Sequence, residues 1–226
     1  MSDEKPTPEV SALIVPAEHG ALHGCLTLVP GSTGLVVLIH AALALNADDG
    51  SLASRLRDAG FSTLSVDLVA HEEAHFPDLR NNVPQLAKRL LLFLAQIRHR
   101  MLMGEIPPQA LALYAVNDTS PVAVRIAAQR DHDIAALVCR GGLIDLAGIL
   151  YLRSLATPIL ILHTPSETHH TEGNRRALRE THCPRELKII PETDTQTAAL
   201  SGTETALRET IAWFVKHLDR LPGPTA

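Results

Sequence analysis

Residues 35–68 read LVVLIHAALALNADDGSLASRLRDAGFSTLSVDL. The opening, residues 35–40, is a short continuous apolar run closed by His40, as expected of a strand buried on both faces. Residues 46–59 change period: Leu52, Leu56 and Ala59 recur at helical spacing, and Gly60 supplies the stop. Residues 63–67 return to strand character. A strand, a helix and a second strand in so short a span make a right-handed crossover unit, and such units build parallel sheets.

The same alternation continues outward. Upstream, residues 10–15 and 22–29 read as two strands around a polar turn at Glu18-His19-Gly20. Downstream, residues 82–100 form a strong helix. Asn82 suits its cap, Pro84 its first turn, and Leu86, Leu90, Phe93 and Ile97 its apolar stripe. Strands are expected at 111–116, 134–139, 159–163 and 187–190, and helices at 121–129, 171–181 and 204–218, with Ser120 as an N-cap. Pro107-Pro108 marks a loop. The fold class that follows is α/β: three layers around a doubly wound, mostly parallel sheet. One domain is expected over residues 9–220, between loose tails at 1–8 and 221–226.

Composition narrows the function classes. The chain has 226 residues, 46% of them hydrophobic and 20% charged, which is ordinary for a globular protein. A net charge of −5 offers little attraction to nucleic-acid phosphates or anionic lipid. Cys25, Cys139 and Cys183 are odd in number and widely spaced, so neither a disulfide framework nor a zinc ribbon is visible. The N-terminus MSDEKPTPEV lacks an apolar signal core, and the apolar stretch 35–45 is too short to cross a bilayer and contains His40. The expectation is a cytoplasmic protein with no nucleic-acid or membrane partner and no cofactor; homo-oligomerisation is left open. An aromatic content of 3% argues against a large aromatic ligand platform, leaving Phe76 and Tyr151 as local possibilities.

In doubly wound folds, ligands bind beyond the carboxyl ends of the strands. Those ends carry His40, Asp67, Asn117-Asp118, Arg140 and His163. Residues 35–68 and the stretch IAALVCRGGLIDLAG (134–148) together resemble the dienelactone hydrolase family of α/β-hydrolases. The spacing to NRRAL (174–178) and AWFVKHL (212–218) fits as well. The resemblance runs from residue 35 to residue 218. It implies a three-layer α/β-hydrolase fold without a separate lid domain, and an oxyanion loop beginning at His40 and Ala41.

The resemblance also implies a nucleophile on a sharp strand-to-helix turn, within G-x-S-x-G or G-x-C-x-G. This chain reads Ala115-Val116-Asn117-Asp118-Thr119, with Asn117 at the nucleophile position and both glycines replaced. Thr119 is β-branched and suits a strained turn poorly, which predicts a relaxed elbow and a late helix start. The acid position falls on Glu167 and the histidine position on Thr195. An amide nitrogen delocalises its lone pair, and a threonine takes no proton near neutral pH, so a nucleophile and its base are both missing. Removing a catalytic triad as a unit costs about 10⁶ in rate in subtilisin. The reading is a degenerate hydrolase that binds a small molecule or a partner, with a pocket of His40, Asn117, Arg140 and His163. Arg140, followed by two glycines, suits a carboxylate or phosphate and points to an anionic ligand; pairing with Asp145 or Glu167 is the alternative.

Rebuilt chemistry is the alternative function. Asp118 as nucleophile needs a one-residue strand shift and a base from His163, His169 or His170. Cys139 as nucleophile competes with a buried, inert thiol. His71-Glu72-Glu73-Ala74-His75 matches H-E-x-x-H, which binds zinc when a helix sets both histidines on one face. Here it lies in a loop before Pro77, so no metal is assigned, with His71 and His75 the ligands if one binds. The run from His163 to Glu172 holds three histidines and reads as a solvated loop.

Overall fold

The computed structural model describes residues 7–41, 47–73, 75–130, 132–192 and 198–218. Eight strands form one sheet: β1 (Glu9–Pro16), β2 (Ala21–Leu28), β3 (Leu35–His40), β4 (Ser62–Asp67), β5 (Leu111–Val116), β6 (Ile134–Arg140), β7 (Ile159–His163) and β8 (Arg185–Ile189). Their order is β1-β2-β4-β3-β5-β6-β7-β8. β1 and β2 pair antiparallel, as do β2 and β4; from β4 through β8 all neighbours are parallel. The helices are α1 (Ala47–Asp58), α2 (Val83–Leu102), α3 (Ser120–Gln129), α4 (Ile149–Ser154), α5 (Thr168–Arg179) and α6 (Ala198–Leu218).

Strand alternation divides the core in two. Leu35, Val37 and Ile39 of β3 face the layer that holds Leu86, Phe93, Ile97, Val122 and Ile126 of α2 and α3. Val36 and Leu38 face Leu56 of α1 and Trp213, Phe214 and Leu218 of α6. Every residue of β3 is buried, which is why its sequence is continuously apolar up to the closing His40 rather than alternating. Strand order reverses at β3: the chain passes to β4 on one side and returns to β5 on the other. The strand ends at this switch point, His40 and Val116, are where the fold class places a ligand.

Most expected elements appear within a few residues of their predicted bounds. Asn82 caps α2, its side chain accepting from the Gln85 N–H at 3.1 Å. Two expectations need correction, and α4 is an element not expected from the sequence. α5 begins at Thr168, so half of the predicted histidine-rich loop is helical. α4 has too few residues for its period to show in the sequence. Ser120 is the first residue of α3, and its hydroxyl donates to the Gly141 carbonyl (2.9 Å) instead of capping.

Candidate functional site

The turn after β5 is tight. Asn117 has φ 49°, and among the described residues it is the one non-glycine with a positive φ. Asparagine tolerates this region better than most side chains. The conformation of a nucleophile elbow is therefore kept, against the predicted relaxation. Residues Asn117–Thr119 make a single 3-10 turn that leads directly into α3, which begins at Ser120, one residue before the expected start. Thr119 sits at φ −86°, where β-branching costs nothing. Its buried hydroxyl accepts the Val116 N–H (2.9 Å) and can donate to the carbonyl of Val116 or of Ile39 in β3. Replacing a flanking glycine by threonine thus adds a strap instead of strain. Thr119→Val keeps the shape and orphans the Val116 N–H. We expect a loss of about 1–3 kcal/mol in unfolding free energy, read by urea denaturation.

The β6–α4 connection packs under the elbow. Gly141 and Gly142 have φ 71° and 75°. A Cβ at Gly142 would overlap the Asn117 carbonyl oxygen, and one at Gly141 would overlap Asn117 Oδ1 and lie 2.9 Å from Glu167 Oε1. The Asn117 and Glu167 side chains therefore converge over Gly141. This places the predicted acid position beside the predicted nucleophile position. Glu167 Oε2 accepts the backbone N–H (2.8 Å) and the hydroxyl (3.0 Å) of Thr164. Burial alone would raise its pKa, but these hydrogen bonds and His163 bring it below the usual glutamate range. It is a carboxylate at neutral pH.

His163 ends β7 and is fully buried, so its ring is not open to solvent. Its Nδ1 lies 3.5 Å from Glu167 Oε2, and its Nε2 lies 2.7 Å from Nδ2 of the buried Asn174. Burial holds its pKa below the ordinary histidine value, with Glu167 opposing. Asn174 is a site residue whose only sign in the sequence is its place in the NRRAL stretch. Arg140 is half-buried at the end of β6 and pairs with neither Asp145 nor Glu167 nor any other described residue. Asn117 and Asp118 are both exposed. His40 is buried at the end of β3, where its carbonyl accepts the Leu68 N–H (2.9 Å), and Ala41 beside it is half-buried. The remainder of the oxyanion loop, 42–44, and the base position Thr195 lie outside the described residues.

The H-E-x-x-H stretch does not make a helix with two aligned histidines. His71–Glu73 is one 3-10 turn; His71 and His75 are exposed, whereas Glu73 is buried. Glu73 carries a structural ion pair with Arg89 of α2. His71 does border a groove of about 300 Å³ with His23, Cys25, Ser65 and Asp67. Burial pushes Asp67 up to about 6, opposed by the Val69 N–H and the charges of Arg80 and His23. Among the described residues, no three of these or any other His, Cys, Asp or Glu are arranged to hold a metal ion. Cys139 is fully buried and its thiol is pushed up to about 12, the inert alternative. Tyr151 is engaged by Arg125, stacked 4.4 Å from its ring centre, while Phe76 packs against His19.

No protein-family model matches the chain, and no curated protein matches it. Solved structures do. A dienelactone hydrolase from Anabaena variabilis superposes with a TM-score of 0.82 at 24% identity, over 94% of this chain and 99% of that one. Est1E from Butyrivibrio proteoclasticus gives 0.68 at 12% identity, over 90% and 99%. A cold-adapted esterase from an Arctic intertidal metagenomic library gives 0.69 at 10% identity, over 95% and 96%. The fold is that of the dienelactone hydrolase-like α/β-hydrolases. No helix among the described residues is long and apolar enough to cross a membrane.

Proposed function

We propose that this chain is an α/β-hydrolase-fold protein that binds a small molecule at its elbow and performs no acyl transfer there. One observation carries the reading. The elbow conformation is retained, and the residue on its apex, Asn117, is an amide rather than a hydroxyl or thiol. A retained elbow preserves the shape of a ligand crevice, while an amide nitrogen has no available lone pair for attack on a carbonyl. The threonine at the base position supports the same conclusion. His163 and His170 lie 3.5 and 3.9 Å from the Glu167 carboxylate, but an amide at the apex gives neither imidazole a hydroxyl or thiol to deprotonate. Arg140 is a cation without a partner among the described residues, at a strand end and next to two glycines. It suits the carboxylate or phosphate of an anionic ligand.

Asp118 as a substitute nucleophile is less well supported, because it stands one residue past the positive-φ apex. The test is hydrolysis of activated short-chain esters and lactones by the purified chain, beside the Asn117→Ala/Asp118→Ala double variant. We expect no rate above buffer from either protein. Turnover by the natural sequence that disappears in the double variant overturns the proposal and restores a working hydrolase. Turnover abolished by a chelator overturns it in favour of a metal-dependent one.

A further inference from the structure

The Asn174 amide is held by two backbone groups of opposite character. Its Oδ1 accepts the Ile144 N–H (2.9 Å), and its Nδ2 donates to the Gly142 carbonyl (2.8 Å). These contacts fix which end of the amide is which. The second Nδ2 hydrogen meets His163 Nε2 at 2.7 Å, and that nitrogen must accept it. The imidazole proton therefore sits on Nδ1, facing Glu167 Oε2 at 3.5 Å. Asn174 and His163 are both 0% exposed, so no water replaces a lost partner.

A proton added to His163 goes to Nε2 and sets a donor against the Asn174 donor. Turning the amide over removes that conflict and creates two others, Oδ1 against the Gly142 carbonyl and Nδ2 against the Ile144 N–H. The clamp and a charged His163 are incompatible. The clamp holds the Gly142 peptide, and the Asn117 carbonyl rests on Gly142 with no room for a methyl group between them. The charged and titratable groups that act on His163 are both on the α5 side: Glu167, which favours a proton, and His170, whose ring centre is 6.4 Å away and which opposes one. From the neighbouring strand β8 its register partner is the uncharged Ile189, and from the β6 end Gly141 bonds the adjacent Leu162 carbonyl.

We infer that the elbow is regulated by the protonation of His163: neutral His163 holds Gly142 and Ile144 in place through Asn174, and charged His163 releases them. The inference rests on the elbow as a ligand site and adds its regulation. The folded protein disfavours the charged ring relative to the unfolded chain. Stability from the clamp is thus full above the unfolded histidine value of about 6.5. It is lost as pH falls below that value toward the lower folded one.

The experiment is NMR of the ¹⁵N-labelled full chain, titrated from pH 8 to pH 4.5 without ligand. At pH 8, His163 is expected as the Nδ1–H tautomer. Its midpoint is expected below 6.5, and the amide signals of Ile144, Gly142 and Asn117 are expected to move with the same midpoint. Asn174→Asp places an acceptor beside Nε2 and should raise the midpoint by at least one pH unit. His170→Gln leaves the coupling in place. An Nε2–H tautomer, a midpoint at or above 6.5, elbow amides that stay still through the titration, or simultaneous loss of all native signals would overturn the inference. Ester hydrolysis at neutral pH overturns the functional proposal alone, since this titration involves no substrate.

Discussion

Arg89→Met lowers the unfolding free energy by about 3–5 kcal/mol, the cost of leaving one member of a buried ion pair uncompensated. For a chain of this size that corresponds to a fall of about 6–20 °C in Tm. Arg89 and Glu73 meet in a two-pronged contact at 2.7 and 2.5 Å, with side chains 6% and 1% exposed. Arg89 also donates to the Leu68 carbonyl at 2.8 Å, and Glu73 accepts the Ala70 N–H at 3.0 Å. The pair ties α2 to the loop leaving β4. Burial raises the Glu73 pKa, but the hydrogen bonds and charge of Arg89 and the Ala70 N–H outweigh it and leave the group below the usual range. A lowered carboxylate contributes stability at neutral pH that disappears as pH falls through the folded value. The natural protein should therefore lose stability in acid more steeply than Glu73→Gln. Glu73→Leu/Arg89→Met should recover much of the single-variant loss, because an apolar pair needs no compensation. Urea unfolding of the four proteins, repeated at pH 7 and pH 4, checks the set. Equal stability of Arg89→Met and the natural chain would show the pair to be dispensable.

That ion pair also shows where a sequence motif misleads. H-E-x-x-H gives residue types and spacing, and zinc binding needs both histidines on one helical face. Ala70 and Pro77 bracket a segment with room for only one 3-10 turn, and its second glutamate is drawn inward by an arginine 16 positions away. Nothing local in the sequence announces Arg89 as its partner. It sits on α2 among apolar residues, where an arginine is unexpected, and that oddity was the available signal. The sheet was legible because β3, β5 and β7 are buried on both faces and are therefore apolar up to their last residue, where two of them carry a histidine. The short α4 and the first turn of α5 were not. α4 has six residues, and the first turn of α5, Thr168 to Thr171, is polar throughout, so neither shows an apolar period.

The site was legible as positions and not as geometry. Asn117, Arg140 and His163 follow from strand ends and Glu167 from the family resemblance, and all four lie at or just beyond the carboxyl ends of β5, β6 and β7. The error about Thr119 came from treating both glycine positions of the elbow as needing glycine. Here one residue alone, Asn117, bears the positive φ, and the position two residues later is helical. Asn174 escaped notice because its role depends on three backbone and side-chain partners spread over about 30 residues.

Gly142→Ala should damage the elbow more than any other methyl addition near it, and more than Gly141→Ala. Both positions hold φ near 70°, where a side chain costs about 1–2 kcal/mol. The difference lies in what the new methyl meets. At Gly141 it meets the ends of two side chains: Asn117 Oδ1, which can turn toward solvent because Asn117 is exposed, and Glu167 Oε1 at 2.9 Å, which need give only slightly. At Gly142 it meets the carbonyl oxygen, carbonyl carbon and Cα of Asn117, a backbone already fixed at φ 49° and strapped by Thr119. Relief requires moving β5 or the β6–α4 turn, and the second movement pulls the Gly142 carbonyl off Asn174. We expect about 1–2 kcal/mol of destabilisation for Gly141→Ala and at least about 3 for Gly142→Ala, since strain and backbone displacement combine. The second variant should also shift the His163 ring signals, because its acceptor role depends on the same amide. Unfolding free energies that are equal for the two variants, with His163 unmoved, would mean that the elbow does not lean on Gly142 and that its shape is held by Thr119 alone.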